Sequence, residues 1–349
     1  MRELRYISTE ISNMIAEIEE FKGKWVKLKD IAPDRLVLMR KVATIASVGS
    51  STRIEGAHLS DIEVEQILSR LEKRQFQSRD EEEVGGYAEA MNLVFDSFED
   101  IPVTENYVKQ LHSILLRYSS KDQKHKGEYK KLSNNVEAFD HRGKSLGVVF
   151  KTTEPFDTPF KMKELIEWYE ISKKEKRQHP IIIIAIFIVH FLAIHPFQDG
   201  NGRLSRVLTT LMLLQAGYLY VPYCSLESIV EENKEQYYRS LRKAQKTLNS
   251  DETDLEVWLL FFVKMLKKQK NILDERIAKE KLRSETLIPE LSVRILKITQ
   301  EQKRVTISSL YNELKANRNT IKKHIQALVK DNYLELHGQG KGTYYTRKE

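Results

Sequence analysis

The 349-residue chain has one cysteine, Cys224, so it can form no internal disulfide, and a reducing cytoplasmic setting is expected. It is poor in helix breakers, with 14 glycines and 8 prolines, and rich in Leu, Ile, Glu and Lys, a balance that favours helix. With 41% hydrophobic and 31% charged residues it is neither a disordered nor a fibrous chain. The first 25 residues lack the apolar core of a signal peptide. Only one long apolar run is present, from Pro180 to Pro196, and the 15 residues between its prolines fall short of the roughly 20 that a bilayer requires. That run holds His190 and leads straight into a polar turn, so it is expected to be a buried central helix, not a membrane span. A P-loop is also missing, because the only Gly-Lys-Ser, Gly143 to Ser145, has Ala138 where that loop needs its first glycine.

What is present reads mainly as helix. Up to about Leu71, apolar residues such as Leu36, Met39, Val42 and Ala43 recur at helical spacing. Two further amphipathic helices follow, the second with Thr104 as its expected N-cap. Between Lys121 and Thr158 turn residues dominate, and "LGVVFKTT" is the best β segment of the first 280 residues. The expected division is a helical region over 1–83, a catalytic core over 84–268, a helical linker over 269–285 and a small domain over 286–349. That last domain carries 12 Lys/Arg against 6 Asp/Glu, nearly all of the chain's net charge of +7. Its pattern is a helix, a helix-turn-helix and two strands around a Gly-rich loop, the order of a winged helix-turn-helix. Ile321, Ile325 and Leu328 should face its core. Arg318, Asn319, Lys322 and Lys323 should face outward toward a DNA groove, with Lys341 at the hairpin tip near a phosphate. A homodimer is compatible with so many amphipathic helices.

The densest chemistry lies in "IHPFQDGNGRLSR", Ile194 to Arg206. Gly200 and Gly202 permit a sharp turn whose backbone N–H groups converge, and a helix starting there adds unpaired donors. Arg203 and Arg206, three apart on that helix, can meet one polyphosphate. Asp199 can hold a hard cation, Mg²⁺ first among them, and His195 can accept a proton from an attacking hydroxyl. No second histidine or cysteine stands at zinc-ligand spacing beyond His190. Together these groups describe attack on a nucleoside phosphate.

The same string resembles the Fic signature, HPF-x-(D/E)-GNGR-x-x-R, at every fixed position. The resemblance extends over about Val84 to Lys268. It includes the apolar helix with His190, the "G-x-Y-K" of Gly127 to Lys130, the "VVFKTTEP" segment and the Tyr237–Tyr238 pair. Lys130 departs from the arginine more frequent in the family. The resemblance implies a Fic-type helical bundle with a small β-hairpin flap, and transfer of AMP from ATP to a Ser, Thr or Tyr hydroxyl of a target protein or of itself. In that scheme His195 is the general base and Asp199 holds Mg²⁺ against the α- and β-phosphates. Gly200, Asn201 and Gly202 form the anion hole, Arg203 and Arg206 take the β- and γ-phosphates, and Tyr237 and Tyr238 line the adenosine pocket. Gly147 to Thr153 resembles the flap that aligns a target strand.

Upstream, "SSTRIEG" is similar to the Fic inhibitory motif, (S/T)-x-x-x-E-(G/N), with Ser51, Glu55 and Gly56 at its fixed positions. A Glu55 carboxylate paired with Arg206 would take the arginine that should receive the γ-phosphate, leaving ATP bound unproductively. Two other readings stay open at this point. One is a nucleotide-sensing, DNA-binding transcriptional regulator. The other is a Fic enzyme that removes AMP or moves another phosphate group.

Overall fold

The structure, a computed structural model, describes residues 7–27, 33–71, 76–139, 145–176, 178–248, 250, 253–286, 289–330, 333–338 and 340–348. The chain divides into two units, Met1–Asp274 and Glu275–Glu349.

The larger unit is helical, as its composition demands. Helices α1 (Thr9–Lys27), α2 (Pro33–Ile54), α3 (Asp61–Ser69), α4 (Arg79–Ser97) and α5 (Glu105–Leu115) come first. Ser60 caps α3 in a reciprocal box with Glu63, Ser78 caps α4, and Thr104 caps α5 as expected. Leu36, Met39, Val42 and Ala43 lie in α2 as their spacing predicts, with Val42 51% exposed and Ala43 beside it buried. The buried face of α2 lies at its C-terminal end, from Ser47 to Thr52, where it packs on α4 and a later helix.

A hairpin then interrupts the helices. Strands β1 (Val136–Phe139) and β2 (Ser145–Phe150) pair antiparallel with two register shifts. The ladder ends at Phe150, so Lys151 to Thr153 leave the strand expected of them. Side chains draw Thr152 away, since its N–H donates to Asn135 Oδ1 at 3.0 Å.

Helix α6 (Thr158–Glu175) leads to α7 (Pro180–Ile194), the apolar run. From Ile181 to Val189 every residue of α7 is buried, because α6, α8 and α10 cover it on different sides. It is central, and no helix among the described residues is long and apolar enough to cross a membrane. Trp258 donates to the Ala185 carbonyl at 2.8 Å, tying α7 to a later helix. Helices α8 (Asn201–Gln215), α9 (Leu226–Glu232), α10 (Lys234–Thr247) and α11 (Glu256–Thr286) complete the set. Helix α11 runs unbroken through the segment expected to be a linker, and the division between units falls inside it.

The smaller unit contains α12 (Glu290–Gln302), α13 (Ile307–Leu314), α14 (Arg318–Lys330) and the antiparallel pair β3 (Leu334–His337) and β4 (Tyr344–Arg347). Thr306 caps α13, and Lys315 ends it in a left-handed conformation, turning the chain into α14. Ile295, Leu310, Ile321, Ile325, Leu328 and Leu334 form its core.

Candidate active site

Pro196 stops α7, and the chain turns through His195, which adopts φ 52° and ψ 60°. A non-glycine residue held there stores roughly 1–3 kcal/mol and persists only where its surroundings over-determine it. Gly200, at φ 79°, opens α8, so the helix N-terminus and its unpaired N–H groups face the same space as His195. The Asn201 side chain staples the turn: Oδ1 accepts from Phe197 N–H at 2.9 Å and Nδ2 donates to the Phe197 carbonyl at 2.7 Å. Its amide is therefore engaged within the protein, and what it can offer an anion is backbone.

Burial pushes His195 down to about 4, so its ring is neutral at pH 7. Nδ1 lies 3.3 Å from the Leu192 carbonyl. With Nδ1–H donating there, Nε2 keeps a free lone pair, as a general base requires.

Beside the turn, four charges form a closed ring. Arg79 Nη2 meets Asp199 Oδ2 at 3.1 Å, and Arg203 Nη2 meets Asp199 Oδ1 at 3.3 Å. Glu83 joins the same two arginines, at 2.9 Å to Arg79 Nε and 3.0 Å to Arg203 Nη1. Burial opposes the Asp199 charge, but Arg203, the Gly200 N–H and Arg79 outweigh it and hold the carboxyl below its usual value. His112 supports this ring from beneath. Gly127 N–H donates to its Nδ1 at 2.9 Å, which leaves Nε2–H to donate to the Asp199 carbonyl, also at 2.9 Å. The imidazole stacks on Phe197 with centroids 3.8 Å apart, and burial lowers it to about 4.

Arg206 has different partners. It donates to Ser51 Oγ at 2.7 Å, to the Ser51 carbonyl at 2.9 Å and to Glu55 Oε1 at 2.7 Å. Burial works against the charge, and the facing Glu55 carboxylate more than restores it. A Cβ placed on Gly202 would run into Glu55 Oε1, so the carboxylate lies directly over the glycine where an anion would sit. Glu55 follows the last residue of α2, and Gly56, at φ 107°, reverses the chain after it. A clamp holds that helix end. Arg53 grips Glu231 of α9 with two bonds, at 2.7 and 3.0 Å, and reaches Asp61 at 3.0 Å, while Ser50 meets Ser228 at 2.9 Å.

The remaining expected residues are spread more widely. Tyr237 is buried against Trp258, Phe261 and Tyr238, and burial raises it to about 12. Tyr238 is half-buried, and its hydroxyl lies 3.5 Å from the Ile54 carbonyl, at the end of α2. In the smaller unit Arg318, Asn319, Lys322 and Lys323 are exposed on α14, while the Lys341 side chain lies outside the described residues. Arg79, Glu83, His112, Asn134 and Glu231 were not anticipated, since single polar residues on amphipathic segments carry no local signal. A cavity of about 450 Å³ lies beside the end of β2, lined among others by Thr152, Glu154, Lys161, Glu164, His190 and Gln245.

Residues 102–213 match the model of the Fic/DOC family. A probable protein adenylyltransferase of Aquifex aeolicus is 31% identical over 100 residues, covering 29% of this chain and 28% of that protein. Protein adenylyltransferase Fic of Drosophila mojavensis is 34% identical over 92 residues, covering 26% of this chain and 17% of that protein. The matched segment thus spans less than a third of either relative. Among solved structures, a Fic family protein from Desulfovibrio desulfuricans aligns over 100% of this chain and 98% of its own, with TM-score 0.64 and 21% identity. At that identity the likeness is one of fold.

Proposed function

The chain carries a Fic/DOC domain at residues 102–213, and from that premise we propose that it is a protein adenylyltransferase held in check by its own Glu55. One observation carries the reading: a helix N-terminus that should bind an anion stands beside a neutral, base-ready His195, and the Glu55 carboxylate lies over it.

In this reading ATP places its phosphates over Gly200 to Gly202, with Arg203 and Arg206 as counter-charges. His195 Nε2 takes the proton of a Ser, Thr or Tyr hydroxyl on a target protein or on the chain itself. The hydroxyl oxygen bonds the α-phosphorus as the bond to the β-phosphate oxygen breaks, and pyrophosphate leaves. Asp199 is the residue to hold Mg²⁺, which would neutralise phosphate charge when bound. The surroundings fit such an ion: Asp199 Oδ2 already faces a cation, the Arg79 guanidinium. While Glu55 and Ser51 hold Arg206 through Nε and Nη2, those donors and the charge facing them are not offered to the terminal phosphate.

Mass spectrometry after incubation with Mg²⁺ and ATP tests the reading. Glu55→Gly should gain AMP, and Glu55→Gly/His195→Ala should not. A Glu55→Gly protein that binds nucleotide yet modifies neither itself nor any protein in a cell extract would sink it.

A second reading concerns the smaller unit, and the first does not exclude it. Arg318, Asn319, Lys322 and Lys323 stand exposed on the first half of α14, which follows a tight turn as a recognition helix does. We read this unit as a winged-helix DNA binder in a cytoplasmic protein. The full chain should then shift duplex DNA in a salt-sensitive way, and Lys322→Glu/Lys323→Glu should abolish the shift.

A further inference from the structure

Lys130 is 3% exposed, yet among the described residues its ammonium donates to uncharged oxygens: Asn134 Oδ1 at 2.7 Å, Thr152 Oγ1 at 2.9 Å and the Ile194 carbonyl at 3.1 Å. A buried cation with no carboxylate hydrogen-bonded to it among the described residues is costly: burial lowers its pKa to about 8, and the Glu154 charge offsets only part of that. What it joins accounts for its place. Asn134 precedes β1, Thr152 follows β2, and Ile194 is the last residue of α7. Thr152 and Asn134 also meet each other at 3.0 Å.

The network then covers the backbone around His195 without a gap. Lys130 Nζ takes the carbonyl of Ile194, and Asn134 Nδ2 that of His195 at 3.2 Å. Lys130 N–H takes the carbonyl of Pro196 at 2.8 Å, and Asn134 Nδ2 that of Phe197 at 2.6 Å. Four consecutive carbonyls are thus held by two residues, across the position where His195 is kept left-handed. The same ammonium holds the chain as it leaves the flap.

We propose that Lys130 is a positioning residue for AMP transfer, locking the exit of the flap and the backbone of His195 into one body. The proposal rests on the adenylyltransferase reading. It sets the distance between a target strand on the flap and the base that must reach its hydroxyl, and small displacements there are expensive in rate. A plain helix cap would link Ile194 alone and leave the flap free.

The test uses the full chain with Glu55→Gly as parent, and adds Lys130→Met, Lys130→Arg or Thr152→Val. Lys130→Met should lower kcat by about 10- to 100-fold with KM for ATP within about twofold of the parent. Lys130→Arg, which keeps a cation with several donors, should recover most of the loss, and Thr152→Val should lower kcat by a smaller factor. Hydrogen exchange should quicken together in peptides 145–153 and 192–200 of Lys130→Met, with α4 unchanged. Loosening of the second peptide alone, an Arg variant as poor as Met, or a loss residing in KM would overturn the proposal. If the parent transfers no AMP, the adenylyltransferase reading fails, and hydrogen exchange alone decides whether Lys130 couples the two segments. If Lys130→Met does not fold, the Arg and Thr152→Val variants carry the same comparison.

Discussion

Arg203 and Arg206 lie one turn apart on α8, and both are almost wholly buried, at 2% and 7% exposure. Their partners differ in kind. Arg203 belongs to a ring with Glu83, Arg79 and Asp199, and the shared Asp199 is pinned from below by His112. Arg206 is held by Ser51 and Glu55 at the end of a helix, and the Glu55 side chain is 32% exposed. A carboxylate with one foot in water, just before a glycine turn, can leave without opening the core. One at 10% exposure between two guanidinium groups, as Glu83 is, cannot. The comparison teaches that Arg203 is fixed in the body of the site, whereas Arg206 is held by a contact that can release, which is why the proposed switch falls on Arg206.

The largest effect that would break this contrast is on Arg203. Arg203→Met leaves Glu83 and Asp199 with one arginine between them, and unfolding in urea should show a loss of about 3–5 kcal/mol. A loss below about 1 kcal/mol would mean that the ring is not structural ground. Acid should attack the same side. His112, His190 and His195 are each depressed to about 4, so below about pH 6.5 the unfolded chain binds protons that the folded chain refuses. Their contribution to stability is complete above about pH 6.5 and is lost as pH falls toward 4, which urea midpoints at pH 7.5 and 5 should record as a decrease of a few kcal/mol. His112→Gln, made to keep a polar ring-edge partner, should flatten that slope.

On the switch side, Glu55→Gly should raise the initial rate of AMP incorporation by about 100-fold, with stability changed by less than about 2 kcal/mol. Equal rates in both proteins would remove Arg206 from its role as switch. The smallest effect belongs to the clamp. Glu231→Gln weakens the grip on Arg53 and should raise the rate by about three- to tenfold, because the helix end loosens while Glu55 remains. No change in rate, with hydrogen exchange quickened at residues 50–56, would assign the clamp to folding alone.

Much of the site was legible because its geometry is local. Gly200 at positive φ, Pro196 after His195 and an α8 that starts at once all follow from neighbours in sequence. The apolar run had only one place to go, and the Thr104 cap follows from a side chain three residues from the N–H group it serves. Helical spacing placed Val42 in α2 rightly, but it does not say which part of a helix another element covers, and Val42 is exposed. Thr152 misled because β propensity extends the strand, while two asparagine side chains and a lysine end it. Arg79, Glu83 and His112 gave no signal, each being one polar residue on a helix with an otherwise ordinary pattern.

The sequence by itself determined the turn between α7 and α8, the groups gathered there and the carboxylate that could block them, since backbone conformation and capping act over a few residues. Tertiary structure decided which charge meets which. Burial strips water from groups tens of residues apart, and in that low dielectric the partner brought nearest by helix packing wins. That is why Arg203 became part of a fixed ring, Arg206 became the held arginine, and Lys130 came to fasten the flap to the histidine.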